Sequence, residues 1–269
     1  MKKIKWGVIG TAGIARSCTI PGMIQAYNCE LYAIAGRSID KAEQFKEKFG
    51  FEKAYGSYKE LLDDPEVEAV YIALPNTLHY EWAAKAMKSG KHVLCEKPLA
   101  PTEAQAEEMF KAAEENHVYL MEAFAYQHSP YIAAVRKEIE NGTIGDVRYM
   151  ESAYITSDYD PKNIRMRRDT LGGCTYDLGV YNTSLILRIL GDEPAKVRAI
   201  ASFSEEKIDT LTSFDGREEM KTISVPQNYR LEVEQMGRCV EGKETPAVTR
   251  GFSLANARMI DAILEEIGY

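Results

Sequence analysis

Trp6-Gly7-Val8-Ile9-Gly10-Thr11-Ala12-Gly13-Ile14-Ala15 decides the fold. An apolar run closes on a glycine, small residues follow at the third and sixth places, and an apolar stretch resumes, as when a strand turns tightly into a helix. In such a G-x-A-x-x-A turn the glycine permits the bend, the second small residue lets the backbone approach a pyrophosphate, and the third lets helix lie on strand. Phosphate charge then faces the positive end of the helix. Alanine at the second and third places weakens the match, whereas its place at the head of a βαβ rhythm strengthens it. Gly10, Thr11, Ala12, Gly13 and Ile14 are therefore the expected pyrophosphate cradle, and Pro21 is expected to interrupt or delay the helix.

Outward from this turn, short apolar runs at 4–9, 31–35, 69–74, 92–95 and 119–123 alternate with amphipathic stretches at 39–49, 81–89 and 102–116, closed in two cases by Gly50 and Gly90. The pattern predicts an α/β, doubly wound parallel sheet over residues 1–123. The second strand ends Ala35-Gly36-Arg37-Ser38, without the acidic residue that would hold a ribose 2′-hydroxyl. Arg37, Ser38 and Lys41 suit a 2′-phosphate, so NADP is expected over NAD; the bland alternative makes Arg37 a solvated strand end. After Ala123 the rhythm changes to a helix at 130–141, a long strand at 147–156, a helix at 179–190 and a strand at 196–203. Helices at 231–241 and 252–267 follow, the last able to pack back near the first domain. Residues 124–269 are expected to form a second, α+β domain. No Gly/Ser linker intervenes, so the ligand site is expected in the cleft between the halves.

Composition narrows the classes. The 269 residues are 45% hydrophobic and 28% charged, ordinary for a globular protein. Acidic residues outnumber basic ones 41 to 33 and no basic block occurs, which argues against nucleic acid. No apolar stretch reaches the roughly 20 residues of a membrane helix, and Met-Lys-Lys-Ile-Lys leads straight into a strand, so a cytoplasmic protein is expected. Five cysteines (Cys18, Cys29, Cys95, Cys174, Cys239) without a C-x-x-C pair read as reduced thiols, and four scattered histidines offer no zinc spacing.

Three further segments carry chemistry: Glu96-Lys97-Pro98 closing the run His92-Val93-Leu94-Cys95; Leu74-Pro75-Asn76 followed by His79; and Leu171-Gly172-Gly173-Cys174-Thr175-Tyr176-Asp177-Leu178-Gly179-Val180-Tyr181. Together with the Gly10 turn they resemble the NAD(P)-dependent Gfo/Idh/MocA oxidoreductases. The resemblance implies that Lys97 sits between nicotinamide and substrate, and that Leu74, Pro75, Asn76, His79 and Glu96 line the dinucleotide. The family's second-half segment usually ends in His. Tyr181 stands there instead, which is similar to the dimeric dihydrodiol dehydrogenase and sugar dehydrogenase branch. Residues i and i+4 share a helix face, so Asp177 and Tyr181 can enter one pocket. A tyrosine, pKa near 10, needs a nearby cation to exchange protons near neutrality, and Lys97 would supply it. Asp177 would orient the substrate hydroxyl or the lysine, and Arg165, in Asn163-Ile164-Arg165, could reach cofactor or substrate. The bland alternative for Tyr181 is a buried aromatic on an amphipathic helix.

The expected activity is hydride transfer between nicotinamide and a CH–OH group of a sugar, polyol or cyclic diol. Alternatives are a dinucleotide-binding regulator and an NAD-dependent glycoside hydrolase. After Thr212 the family's several long strands are replaced by the turn-like Phe214-Asp215-Gly216-Arg217, and the resemblance resumes at Val225-Pro226-Gln227-Asn228-Tyr229. The resemblance implies that 124–269 form a substrate-binding and oligomerisation domain with an open, mostly antiparallel sheet, here truncated, and that the chain assembles as a homo-oligomer, dimer or tetramer. The shortened sheet puts it in question, because unpaired edges invite association of their own.

Overall fold

The computed structural model describes residues 3–156, 160, 162–191, 194–204, 209–210 and 227–269. Its main sheet is parallel: β1 (Ile4–Ile9), β2 (Cys29–Ala35), β3 (Lys53–Tyr55), β4 (Ala69–Ile72), β5 (His92–Glu96) and β6 (Leu120–Ala123). The order is β3-β2-β1-β4-β5-β6, so the sheet grows outward in both directions from β1 and β4. That reversal opens a crevice at the carboxyl ends of β1 and β4, where doubly wound sheets bind ligands. All four residues of β4 are buried, as continuous apolar strands covered on both faces must be. Only β3, three half-buried residues, goes beyond the expected strands; it carries no apolar run to mark it.

Helices α1 (Ile20–Gln25), α2 (Ile39–Phe49), α3 (Tyr58–Asp63), α4 (His79–Lys88) and α5 (Glu103–Glu115) belong to this half. Thr102 Oγ1 accepts from Gln105 N–H at the start of α5, and Gly50 closes α2 at φ +81°. Pro21 does not delay the helix: a π turn, Ala15–Thr19, runs directly into α1, with Pro21 in its first turn where a missing N–H costs little.

Beyond residue 124 come α6 (Pro130–Glu140), α7 (Val180–Leu190), α8 (Asn228–Val240) and α9 (Arg250–Ile267). The sheet of this half is, among the described residues, one antiparallel pair, β7 (Ser202–Phe203) with β8 (Asp209–Thr210). The long strand expected at 147–156 is not formed: those residues are irregular, and Tyr149 is 79% exposed. Tyrosine and β-branched residues favour a strand only beside a partner, and no described strand lies beside this segment. The strand expected at 196–203 shrinks to Ser202–Phe203 for the same reason. Phe214-Asp215-Gly216-Arg217, Val225-Pro226 and the junction after Thr212 lie outside the described residues.

The last two helices close over the first half. An added Cβ on Gly22 of α1 would lie 2.7 Å from Arg230 N, and one on Gly237 would lie 2.4 Å from Asn28 Nδ2, so α1 and α8 touch only because glycine is there. Asn28 Nδ2 donates to Glu234 O at 2.9 Å. α9 reaches α5: Arg250 meets Glu114 at 2.5 Å and Glu107 at 3.0 Å, and Glu103 N–H donates to Asp261 at 2.9 Å.

Candidate active site

Gly10 stands at φ +109°, and a Cβ there would fall 2.3 Å from Ala73 O. No other residue fits: only glycine lets the end of β1 turn this tightly against the end of β4. Gly10 N–H donates to Ala35 O at 2.9 Å, so the ends of β1, β2 and β4 are tied together at the turn. Ala15 is fully buried, letting the helical turn lie on the strand. Thr11, Ala12 and Ile14 are half-buried and Gly13 is exposed; a Cβ on Gly13 meets nothing within 4 Å. Arg37 and Lys41 are exposed beyond the end of β2, and Ser38 is the N-cap of α2. This donor set fits a dinucleotide carrying a 2′-phosphate: a positive fork, an ammonium and a hydroxyl beside a glycine cradle.

The loop after β4 faces the same crevice. Leu74 and Pro75 lead into a single 3-10 turn, Asn76–Leu78. Asn76 Nδ2 donates to Leu171 O at 2.9 Å, stitching this loop to the Gly172-Gly173 segment. His79 is completely buried, with Nδ1 2.7 Å from Pro98 O and Nε2 2.9 Å from Leu74 O. Burial pushes its pKa down. Both ring nitrogens are thus occupied by main chain, and His79 ties the β4 loop to the Lys97-Pro98 corner instead of offering a nitrogen to a ligand.

Lys97 follows β5. Its ammonium donates to Asp177 O at 2.6 Å, lies 3.3 Å from Asp177 Oδ1, and stands 4.6 Å from the centroid of the Tyr181 ring. The Lys97 side chain is 10% exposed and that of Asp177 19%. The other carboxylate oxygen of Asp177 accepts from Arg165 Nε at 2.7 Å. Asp177 does not stand in an ordinary helix: Thr175–Gly179 form a π turn ahead of α7, and Val180 N–H donates back to Thr175 O. The i→i+5 bonding widens the turn. The expected convergence of Lys97, Asp177, Tyr181 and Arg165 is present in space.

Tyr181 packs edge-on to Phe124 at 5.9 Å and against Tyr126 at 6.0 Å and Tyr154 at 5.5 Å between ring centroids. Burial first, then the charges of Glu96, Tyr229, Tyr154 and Asp177, raises its pKa. The neutral phenol is therefore the resting form, since Lys97 lies over the ring face. Glu96 is buried behind Lys97 and accepts from Tyr71 Oη at 2.5 Å, while Thr19 Oγ1 donates to Tyr71 Oη at 3.0 Å. Burial raises the Glu96 pKa, opposed by the Tyr71 hydrogen bond and by Lys97. Glu96 therefore supports the lysine from beneath rather than facing the crevice. Glu122, buried on β6, accepts from Leu99 N–H at 2.9 Å, and burial pushes its pKa up to about 7.

Asp209 is the residue that sequence reasoning missed. It is buried, and its Oδ2 accepts from Thr175 N at 2.8 Å and Thr175 Oγ1 at 2.6 Å, fixing the start of the turn that carries Asp177. Gly173, at φ +111°, makes room: a Cβ there would lie 1.8 Å from Asp209 Oδ1. The second glycine of Gly172-Gly173 was a signal that something approaches closely; what approaches could not be named from the chain.

A doubly wound sheet whose crevice holds a tight glycine turn and a part-buried lysine paired to a carboxylate defines a dinucleotide-binding oxidoreductase. More particularly, the chain belongs to the Gfo/Idh/MocA oxidoreductases: residues 4–124 match the family's NAD-binding Rossmann fold and 132–224 its C-terminal domain. It is 33% identical to D-xylose 1-dehydrogenase (NADP(+)) 2 of Haloferax volcanii, over 97% of this chain and 96% of that one. It is 34% identical to mouse trans-1,2-dihydrobenzene-1,2-diol dehydrogenase, over 78% of this chain and 63% of that one. The structure superposes at TM-score 0.88 and 25% identity on a 3-ketoreductase from Actinomadura kijaniata, in complex with NADP and TDP-benzene, covering 99% and 98% of the chains. The xylose dehydrogenase alignment runs over 315 positions, longer than this chain of 269, so that enzyme carries residues with no counterpart here. No helix among the described residues is long and apolar enough to cross a membrane.

Proposed function

We propose that this chain is an NADP-dependent oxidoreductase moving a hydride between nicotinamide and a CH–OH carbon of a sugar, polyol or cyclic diol. The observation that carries this is the Lys97 ammonium, held 2.6 Å from Asp177 O and poised over Tyr181 where the two halves meet. Gly10 to Ile14 would hold the pyrophosphate, Arg37, Ser38 and Lys41 the 2′-phosphate, and Leu74, Pro75 and Asn76 would wall the dinucleotide. When bound, NADP supplies or takes the hydride.

In the reducing direction Lys97 polarises the substrate carbonyl and the neutral Tyr181 hydroxyl gives its proton to the oxygen as carbon receives the hydride. The phenolate left behind regains its proton from water, with the Lys97 charge over its ring. Asp177, bound by both Lys97 and Arg165, sets the lysine's position. The names of the relatives, an NADP(+) xylose dehydrogenase and a dihydrodiol dehydrogenase, support this substrate class. A division into a dinucleotide-binding domain over 1–123 and a substrate-binding domain over 124–269, assembled as a homo-oligomer, belongs to the same proposal. The test is a screen of aldoses, polyols and dihydrodiols with NADP and NAD, followed by nicotinamide absorbance. Turnover with none of them, or release of an aryl glycoside chromophore without net cofactor change, would overturn it.

A further inference from the structure

At the end of α9 the chain turns back on the candidate active site. Gly268 takes φ +71°, and in this left-handed turn its N–H donates to Glu265 O at 3.1 Å while Tyr269 N–H donates to Leu264 O at 3.0 Å. This pair of bonds satisfies the last helix carbonyls and fixes the direction in which the next residue leaves. Tyr269 is thereby held, half-buried, beside the Gly172-Gly173 segment.

Its side chain touches both segments that meet at Asp177. One is the loop 165–173: Tyr269 Oη donates to Gly172 O at 2.8 Å, and the Arg168 guanidinium lies 4.7 Å from the centroid of the Tyr269 ring. That loop is drawn tight, since Gly172 N–H donates to Arg167 O and Gly173 N–H to Arg165 O, both at 2.8 Å. Holding Gly172 therefore holds the main chain of Arg165, whose Nε reaches Asp177 Oδ2 at 2.7 Å. The other segment is the π turn. There the Tyr176 ring, next in sequence to Asp177, stands edge-on to Tyr269 at 5.9 Å, and Tyr176 Oη donates to Pro101 O at 2.9 Å.

We propose that Tyr269 is a positioning residue for the Lys97–Asp177 pair, locking the Arg165 loop to the π turn so that the ammonium stays over Tyr181. Its effect on rate rests on the hydride-transfer reading above; its effect on the place of Lys97 does not. One ring between two segments has the leverage for this. The hydroxyl fixes the loop by a directional bond, and the ring holds the π turn by edge-to-face packing and Arg168 by cation–π attraction. Misplacing a reacting group by about 1 Å can cost about 10²-fold in rate, so even a slight slackening at Tyr269 is measurable.

Tyr269→Leu removes hydroxyl and ring together. Lysine acylation of the intact chain, followed residue by residue by peptide mass spectrometry, reads the lysine directly. Lys97, its side chain 10% exposed and held by Asp177, should label at least threefold faster in the variant. Lys91, 6% exposed and held by Asp64 O at 2.7 Å, should label at its unaltered rate, whereas a general loosening of the fold would speed both. With a substrate that the unaltered chain turns over, kcat should fall about tenfold while KM for NADP stays within twofold. Should Tyr269→Leu fail to fold, Tyr269→Phe loses only the bond to Gly172 O and should speed Lys97 labelling at least twofold. Unchanged Lys97 labelling, a rise shared by Lys91, or an unchanged kcat would overturn the proposal. If the unaltered chain turns over no substrate, the hydride-transfer reading falls, and the labelling of Lys97 still decides whether Tyr269 positions it.

Discussion

Lys97 lies over the face of Tyr181, not at its hydroxyl, and that placement assigns the two groups different work. An ammonium on a ring face is stabilised by about 0.5–2 kcal/mol and leaves the phenol protonated. Loss of Lys97 (to Ala) or of the Tyr181 hydroxyl (to Phe) is expected to lower turnover about 10²- to 10⁴-fold, the double variant being little worse than the worse single. Cofactor affinity in Tyr181→Phe, read by nicotinamide fluorescence, should stay near normal; near-normal turnover in that variant would leave proton transfer to Lys97 alone. Glu122 gives a pH test. Its folded pKa of about 7 exceeds the ordinary 4.5, so the folded chain keeps a proton that the unfolded chain gives up. Stability is therefore lost as pH rises from about 4.5 to about 7, by on the order of 3 kcal/mol. Glu122→Gln, which keeps the acceptor for Leu99 N–H, should raise the melting temperature at pH 8 and leave it nearly unchanged at pH 4.5; equal shifts at both would refute the assignment. At this scale the sequence was informative where a motif fixed spacing, as for Lys97, Asp177 and Tyr181. It was silent on partners brought from afar: nothing around Asp209 or Tyr154 marks them as neighbours of the lysine's cluster. His79 was legible as belonging to the crevice, but only the carbonyls of Leu74 and Pro98 show what its ring does there.

The elements that hold the site are turns at strand ends. The π turn at Thr175–Gly179 depends on Asp209, so Asp209→Ala should cost about 0.5–2 kcal/mol in urea unfolding, as lost helix caps do, and lower turnover by more than it lowers NADP affinity. An unaltered unfolding midpoint would show that Thr175 is held by something else. At the end of β2, Arg37→Asp should weaken NADP far more than NAD, because a carboxylate repels the 2′-phosphate; tighter binding of NAD by the unaltered chain would remove the reason for the test. Five of the six parallel strands could be read with their ends nearly in place, since each is a largely apolar, largely buried run; β3, half-buried and without such a run, could not. The failure at 147–156 has the opposite cause: a half-exposed strand is specified by its neighbour across the sheet, and one chain's pattern says nothing about whether that neighbour is present.

Taken as a molecule, the chain is a doubly wound half with α8 and α9 folded back upon it, beside a second half whose sheet, among the described residues, is the single β7–β8 pair. Exposed apolar groups such as Tyr149, Ile155 and Ile200 gather on that second half. We expect them to be covered in a contact between copies, since unpaired edges and apolar faces favour association. Sedimentation at low concentration should find a dimer or larger; a monomer whose urea unfolding is fully cooperative would mean the short domain is sufficient alone. The return of α8 across α1, with Gly22 against Arg230 N, also bears on how the protein is made. A nascent chain with its first 124 residues outside the ribosome has the glycine turn but neither Asp177 nor Tyr181, and α8, which packs on α1, follows only after more than a hundred further residues. On the proposed mechanism such half-made chains do no redox work: reactivity waits until residues far along the chain have folded against the first ones.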